Sequence, residues 1–185
     1  MSRQAGSLAA LAERLKRRFS PERVHLALAQ IELRRRAAGK FPDAQRMFFL
    51  PETIEQATDF YVARYKAGRF PAGEPLAEIC CGIGGDLLGL AARGPVTAVD
   101  LSAAALVVAE ANVRSLLLPE KNALDCRFCA EDARRFRVDR FTAWHIDPDR
   151  RAGGRRTTRL ENYQPGPETI DRLLLECPNG AIKLA

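Results

Sequence analysis

The run Leu76-Ala77-Glu78-Ile79-Cys80-Cys81-Gly82-Ile83-Gly84-Gly85-Asp86-Leu87-Leu88 constrains the fold more than any other stretch. It reads as a short buried strand, a glycine-rich turn and the first residues of a helix. An apolar run this short suits a central strand of a parallel sheet. Gly82, Gly84 and Gly85 lack a Cβ, so the backbone can approach a ligand there. A helix that opens directly after the turn aims free N–H groups into the same crevice. Glu78 places a carboxylate beside that crevice, which suits an ammonium or hydroxyl groups and suits a bare pyrophosphate poorly.

The rest of the chain supplies alternating elements around this unit. Upstream, Ser7 is expected to cap a helix through Phe19, and Ser20-Pro21-Glu22 to restart one that stops at Gly39. Pro51-Glu52-Thr53 is expected to open a helix running to about Lys66. Downstream, Val96–Asp100 is a predicted second strand, and Ser102 a cap for a long helix ending near Leu118-Pro119. Asp125–Cys129 and Phe141–Ile146 are predicted strands, Pro167–Glu176 a helix, and Ala181–Ala185 a last strand. This pattern predicts an α/β protein with a doubly wound, mostly parallel sheet and an N-terminal helical segment. The expected division is a helical segment over 1–45 and a cofactor-binding core over 46–185. In such a sheet the ligand lies beyond the carboxyl ends of the strands, at the switch point of strand order.

Four segments fall just after predicted strand ends: the glycine turn, Asp100, Asp132 and Asp147-Pro148. A dinucleotide site wants G-x-G-x-x-G and an acid at the end of the second strand. Asp100 meets the second requirement, but Asp86 stands where the helix N-terminus would face phosphate. A phosphate-free adenosyl ligand agrees better. Asp100 can accept hydrogen bonds from both ribose hydroxyls, and Asp132 can accept one from an adenine amino group. Glu78 and Asp86 can face an α-amino group and a sulfonium. Together these carboxylates point to S-adenosylmethionine.

The set resembles the class I S-adenosylmethionine-dependent methyltransferases, with their Rossmann-like fold. The form Glu78-x-x-Cys81-Gly82-x-Gly84-Gly85 is similar to the trimethylguanosine synthase branch. It resembles more closely still the bacterial trimethylguanosine-synthase-like proteins, or methyltransferases carrying a THUMP-like domain. The matching segments here are Cys80 to Asp86, Asp147 to Arg151, and Ile54-Glu55-Gln56-Ala57-Thr58. The resemblance implies that Glu78, Cys81, Gly82, Gly84, Gly85 and Asp86 line the methionine end of the cofactor. It implies Asp100 and Leu101 at the ribose and adenine, Asp132 and Ala133 at the adenine edge, and Asp147 and Pro148 at the transferred methyl. It also implies RNA as the acceptor, with a guanine amino group as one form of it. Related sheets carry two strands beyond the fifth, so the chain is expected to be part of a longer protein.

Relatives that methylate amino groups often carry a second proline and an aromatic residue after the Asp-Pro pair; here Asp149 and Arg150 stand there. Tyr163 offers a stacking face from the following loop. That departure keeps two other readings open: a non-catalytic adenosyl- or RNA-binding module, and a methyltransferase for a protein or small molecule. The charge pattern leans toward a polyanion partner. The formal net charge is +6, and residues 133–160 hold nine arginines against three aspartates. Arg150, Arg151, Arg155 and Arg156 are the candidate RNA contacts.

Five cysteines, two of them adjacent, do not make a disulfide framework, and a reduced, cytoplasmic protein is expected. Cys126-Arg127-Phe128-Cys129 falls on a predicted strand, where alternation turns the two thiols to opposite faces, so no metal site is expected. No membrane span is expected, and the sequence leaves the oligomeric state open.

Overall fold

A computed structural model describes residues 8–117, 125–150 and 157–184 of the 185-residue chain. Two helices come first, α1 (Leu8–Lys16) and α2 (Pro21–Ala37), and α3 (Phe60–Ala67) follows. The alternating part then runs β1 (Leu76–Ile79), α4 (Gly85–Ala91), β2 (Val96–Asp100), α5 (Ala103–Leu117), β3 (Cys126–Ala130), β4 (Ala143–Ile146), α6 (Pro167–Glu176) and β5 (Gly180–Ile182).

The five strands form one parallel sheet in the order β3-β2-β1-β4-β5. Order reverses between β1 and β4, which makes that gap the switch point. The doubly wound α/β reading of the sequence therefore holds. Side chains alternate along β1, and the sheet is covered on both faces. Leu76 packs with Leu33, Phe41, Phe49, Leu87 and Leu106 on one face. Ala77 and Ile79 pack with Val99, Trp144, Ile146 and Leu173 on the other. Side chains from the first fifty residues thus share a core with α4 and α5.

Capping chemistry explains most boundaries. Pro21 and Pro167 sit in the first turns of α2 and α6, where a missing N–H costs nothing. Ser102 Oγ accepts from Ala105 N at 3.2 Å and starts α5. One expectation fails. Residues 51–57 form turns, and α3 begins at Phe60 because the Asp59 side chain accepts from Tyr61 N and Val62 N. Helix α2 stops where expected, with Ala38 its C-cap and Gly39 just beyond, and Ala38 N donates to Arg35 O. The expected helix end at Leu118-Pro119 lies outside the described residues. No helix among the described residues is long and apolar enough to cross a membrane.

Candidate functional site

The site grows from the end of β1. Cys80 takes φ 58°, in the left-handed region that residues with a Cβ rarely adopt, and Gly82 and Gly84 follow at φ 54° and 91°. This bend turns the chain under β2. Cys81 N donates to Val99 O at 3.1 Å, and Gly82 N donates to Asp100 Oδ2 at 2.8 Å. Asp100 Oδ1 accepts from Ser102 N at 2.8 Å. Each Asp100 oxygen keeps a second lone pair, so the carboxylate is aimed but not saturated.

A cavity of about 840 Å³ opens above the strand ends. Glu78, Cys81, Gly82, Gly85 and Asp86 line it, as do Asp100, Leu101, Ala133, Asp147 and Pro148. Leu101 is 72% exposed, an apolar side chain held out beside the acid that ends β2. On the acceptor side Arg150 and Tyr163 line the cavity. Arg151, Arg155 and Arg156 lie outside the described residues. Two predicted site residues stand apart from the lining. Gly84 is the N-cap of α4, against Ala109. Asp132 grips Arg134, with contacts to Nε at 2.9 Å and to Nη2 at 2.5 Å. That hydrogen bonding holds the Asp132 carboxyl down at about 2. Its neighbour Glu131 lines the cavity instead.

Beneath the glycine turn lies a buried polar network. Parallel register sets Glu78 on β1 opposite His145 on β4, and alternation puts both side chains on the α3–α4 face. His145 Nδ1 meets Glu78 Oε2 at 2.8 Å, with the side chains 2% and 1% exposed. Lys66 of α3 reaches in from the helix layer. Its Nζ is 3.2 Å from His145 Nε2 and 2.6 Å from Asp86 Oδ1, a close ion pair. Gly89 permits this approach of α3 to α4, since a Cβ there would stand 2.9 Å from Ala63 O.

Burial pushes the Glu78 carboxyl above its ordinary range, against the opposing pull of His145. Burial alone would push His145 down, but the Glu78 carboxylate, its hydrogen bond and Asp86 carry it up, with Lys66 opposing. Glu78, Asp86 and His145 are also close enough together to share a cation. The Lys66 ammonium already occupies that role against Asp86.

The wall opposite the glycine turn is a strap over residues 50–58. Lys40 Nζ donates to the carbonyls of Ile54, Glu55 and Ala57 at 2.8, 3.1 and 3.3 Å and so fixes its curve. Thr58 ends the strap against Gly85, where a Cβ would stand 3.0 Å from Thr58 N. Thr58 Oγ1 donates to Asp86 Oδ2 at 2.6 Å and accepts from Lys183 Nζ at 3.0 Å. Lys183 Nζ also donates to Asp147 Oδ2 at 2.5 Å.

Lys40, Lys66, Lys183 and the Glu78–His145 contact are absent from the sequence-based site. Their distance along the chain hides them; only the 58-to-86 contact joins two of the segments that carry the resemblance. The thiols of Cys80 and Cys81 are pushed up by burial and then by nearby carboxylates, so they are inert wall atoms, not nucleophiles. Among the described residues, the Cys126 and Cys129 thiols form no metal-ligating group.

The donor set can be matched to ligands. Carboxylates at Glu78, Asp86 and Asp100 surround a turn that a pyrophosphate would need cationic or neutral. The same groups suit a ligand with an ammonium, a sulfonium and a ribose diol, and the cavity is large enough for one.

Two proteins of Mycobacterium tuberculosis, from strains CDC 1551 / Oshkosh and ATCC 25618 / H37Rv, are each named an uncharacterized S-adenosylmethionine-dependent methyltransferase. Each is 35% identical to this chain over 142 residues, a match covering 72% of the chain. The chain spans 37% of the length of those relatives. Among solved structures, a candidate methyltransferase from Porphyromonas gingivalis W83 superposes with a TM-score of 0.70. It is 18% identical, with 89% of this chain and 41% of that one covered. The precorrin 8W decarboxylase of Methanobacterium thermoautotrophicum superposes with a TM-score of 0.51 at 17% identity, over 75% of this chain and 68% of that one. No protein-family profile matches the chain. The two Mycobacterium tuberculosis relatives carry the S-adenosylmethionine-dependent methyltransferase name, and the superpositions show a shared Rossmann-like fold.

Proposed function

We propose that this chain is the cofactor-binding part of an S-adenosylmethionine-dependent methyltransferase and that it transfers the methyl to a nitrogen acceptor. One observation carries the reading. The glycine turn, Asp100, Ala133 and Asp147-Pro148 come from four different strand ends and line one cavity whose turn is edged by carboxylates.

The cofactor, when bound, supplies a methyl on a positively charged sulfur, which leaves without acid assistance. The protein's task is then mostly positioning and exclusion of water. Glu78 and Asp86 would hold the cationic methionine end, and Asp100 the ribose hydroxyls. Leu101 and Ala133 would flank the adenine. Glu131 would stand at the adenine edge in place of Asp132, whose carboxylate Arg134 occupies. Asp147 Oδ1 carries none of the contact with Lys183, which goes to Oδ2. That leaves Oδ1 for an acceptor N–H, so a delocalised amine can turn its lone pair toward the methyl.

For the acceptor we propose RNA, with an exocyclic amino group such as that of guanine. The resemblance to the trimethylguanosine-synthase-like proteins, the arginine excess and Arg150 and Tyr163 beside Asp147 support it. One observation favours a second reading. Among the described residues, ten carboxylates line the cavity against the two guanidiniums of Arg134 and Arg150. That balance suits a basic small molecule or a basic protein segment better than phosphates.

The test is transfer of a labelled methyl from S-adenosylmethionine to total RNA, to polyamines and to a basic protein mixture, each with wild type and Asp147→Ala. Label in RNA that is lost in the variant supports the RNA reading. Label in the amines alone supports the second. Tight cofactor binding with no transfer to any of them would overturn the enzymatic reading in favour of a binding module.

A further inference from the structure

The cofactor end and the acceptor end of the cavity are joined by an unbroken polar chain. Asp86 Oδ2 accepts from Thr58 Oγ1 at 2.6 Å, Thr58 Oγ1 accepts from Lys183 Nζ at 3.0 Å, and Lys183 Nζ donates to Asp147 Oδ2 at 2.5 Å. Its members sit on four separate pieces of structure. Asp86 opens α4, Thr58 closes the strap, Lys183 follows β5, and Asp147 follows β4. Backbone geometry supports the last pair, because Lys183 N donates to Ile146 O at 2.9 Å and so locks the Lys183 segment beside the Asp147 segment. The Asp147 and Lys183 side chains are only 18% and 23% exposed, so their attraction is weakly screened.

We propose that Lys183 is a positioning residue that couples the acceptor-side carboxylate Asp147 to the cofactor-side carboxylate Asp86 through Thr58. This rests on the reading of the cavity as an S-adenosylmethionine site. An ammonium has three donors and no acceptor. Lys183 uses two of them here, and in doing so it fixes which oxygen of Asp147 is turned away from the acceptor. The arrangement carries a charge logic as well. A lysine ammonium beside a sulfonium site repels the cofactor unless a carboxylate covers it. Asp147 is that cover, so the pair is neutral toward the cofactor while Oδ1 of Asp147 stays available. Thr58 passes the constraint to Asp86, whose other oxygen faces Lys66. Each end of the cavity then carries one lysine–carboxylate pair, joined by one hydroxyl.

The test is a double-mutant cycle read by calorimetric binding of S-adenosylmethionine and of the uncharged product S-adenosylhomocysteine. Asp147→Asn uncovers the ammonium and is expected to weaken S-adenosylmethionine by roughly tenfold, within the usual coupling of contacting residues. The same change should weaken the homocysteine product by no more than about twofold, since its sulfur carries no charge to repel. In a Lys183→Met background Asp147 is an uncovered carboxylate beside the sulfonium, so Lys183→Met alone should tighten S-adenosylmethionine relative to S-adenosylhomocysteine, and adding Asp147→Asn should bring that ratio back to within about threefold of wild type. Lys183→Arg keeps the charge and two donors and should bind within about threefold of wild type. Equal losses for both ligands in Asp147→Asn, a double variant that keeps the full Asp147→Asn loss, or no difference between Lys183→Arg and Lys183→Met would overturn the proposal.

A wild type that binds neither ligand would overturn the cofactor reading itself. The same four proteins melted without ligand then decide the role of Lys183. A non-additive melting-temperature shift of about 2–4 °C keeps the pair as a structural link, and strict additivity removes it.

Discussion

The Glu78–His145 pair offers the most demanding prediction about stability. Glu78→Gln keeps the shape and can still meet His145 Nδ1, but it removes the charge. His145 and Lys66 would then share only Asp86 as a counter-charge, in a pocket where the imidazole and Glu78 are 2% and 1% exposed. Removing one partner of a buried pair typically costs about 3–5 kcal/mol, and the retained hydrogen bond places this case near 3. A chain of this size loses roughly 2–4 °C of melting temperature per kcal/mol. The expected drop is therefore about 6–12 °C.

The pH dependence gives a second signature. Glu78 and His145 both sit above their ordinary values of 4.5 and 6.5 in the fold. The native state therefore holds protons that the unfolded chain has released. Stability from each group is complete below its unfolded value and is lost as pH rises through the folded one, so stability falls from about pH 4.5 upward through Glu78 and from about pH 6.5 upward through His145. Glu78→Gln should flatten that slope. The assay is thermal unfolding followed by circular dichroism between pH 5.5 and 9, with ligand absent. A drop below about 2 °C at pH 6, or a slope unchanged from wild type, would refute the assignment of the pair as a coupled buried ion pair.

Other outcomes follow from single contacts. Lys40→Met removes the donor that gathers three strap carbonyls; stability should fall by about 1–3 kcal/mol, with faster proteolysis between residues 50 and 58, and an unchanged cleavage pattern would contradict the role of Lys40. Trp144→Phe removes an indole N–H that donates to Cys177 O at 2.8 Å in the core and should cost about 2–4 kcal/mol in a denaturant titration. Cys80 and Cys81 should resist thiol reagents at pH 8 in the folded protein, and Cys126, with its thiol raised to about 12, should react slowly as a thiolate. Fast labelling of the adjacent pair by mass spectrometry would show that the turn opens.

The glycine turn and the acids at strand ends were legible because their signal is local. A short apolar run, three glycines and a downstream acid within one βα unit predict a crevice without any knowledge of neighbours. Asp147-Pro148 was legible for the same reason. The supporting lysines were not. Lys66 meets His145 across 79 residues, and Lys183 meets Thr58 across 125. Nothing in their own segments marks them, because a lysine near the end of a helix or strand usually faces water. The Glu78–His145 contact needed strand register, which follows only once β1 is known to pair with β4. Asp132 shows the converse case. A strand-end acid reads as a ligand group, while in the structure Arg134 two residues on satisfies it locally and Glu131 lines the cavity. The helix expected from Pro51 failed because the strap 50–58 is shaped by Lys40 and Gly85, both distant in sequence.

Calorimetric titration of the chain with S-adenosylmethionine, set beside NAD, tests the central claim most directly. Saturable binding of S-adenosylmethionine is expected, with no detectable heat from NAD, because Glu78, Asp86 and Asp100 favour a cation and repel a pyrophosphate. Asp100→Ala should weaken that binding by roughly 10- to 100-fold through the lost ribose contacts, equivalent to about 1.4–2.8 kcal/mol. Binding of NAD with no response to S-adenosylmethionine would contradict the assignment of the cavity.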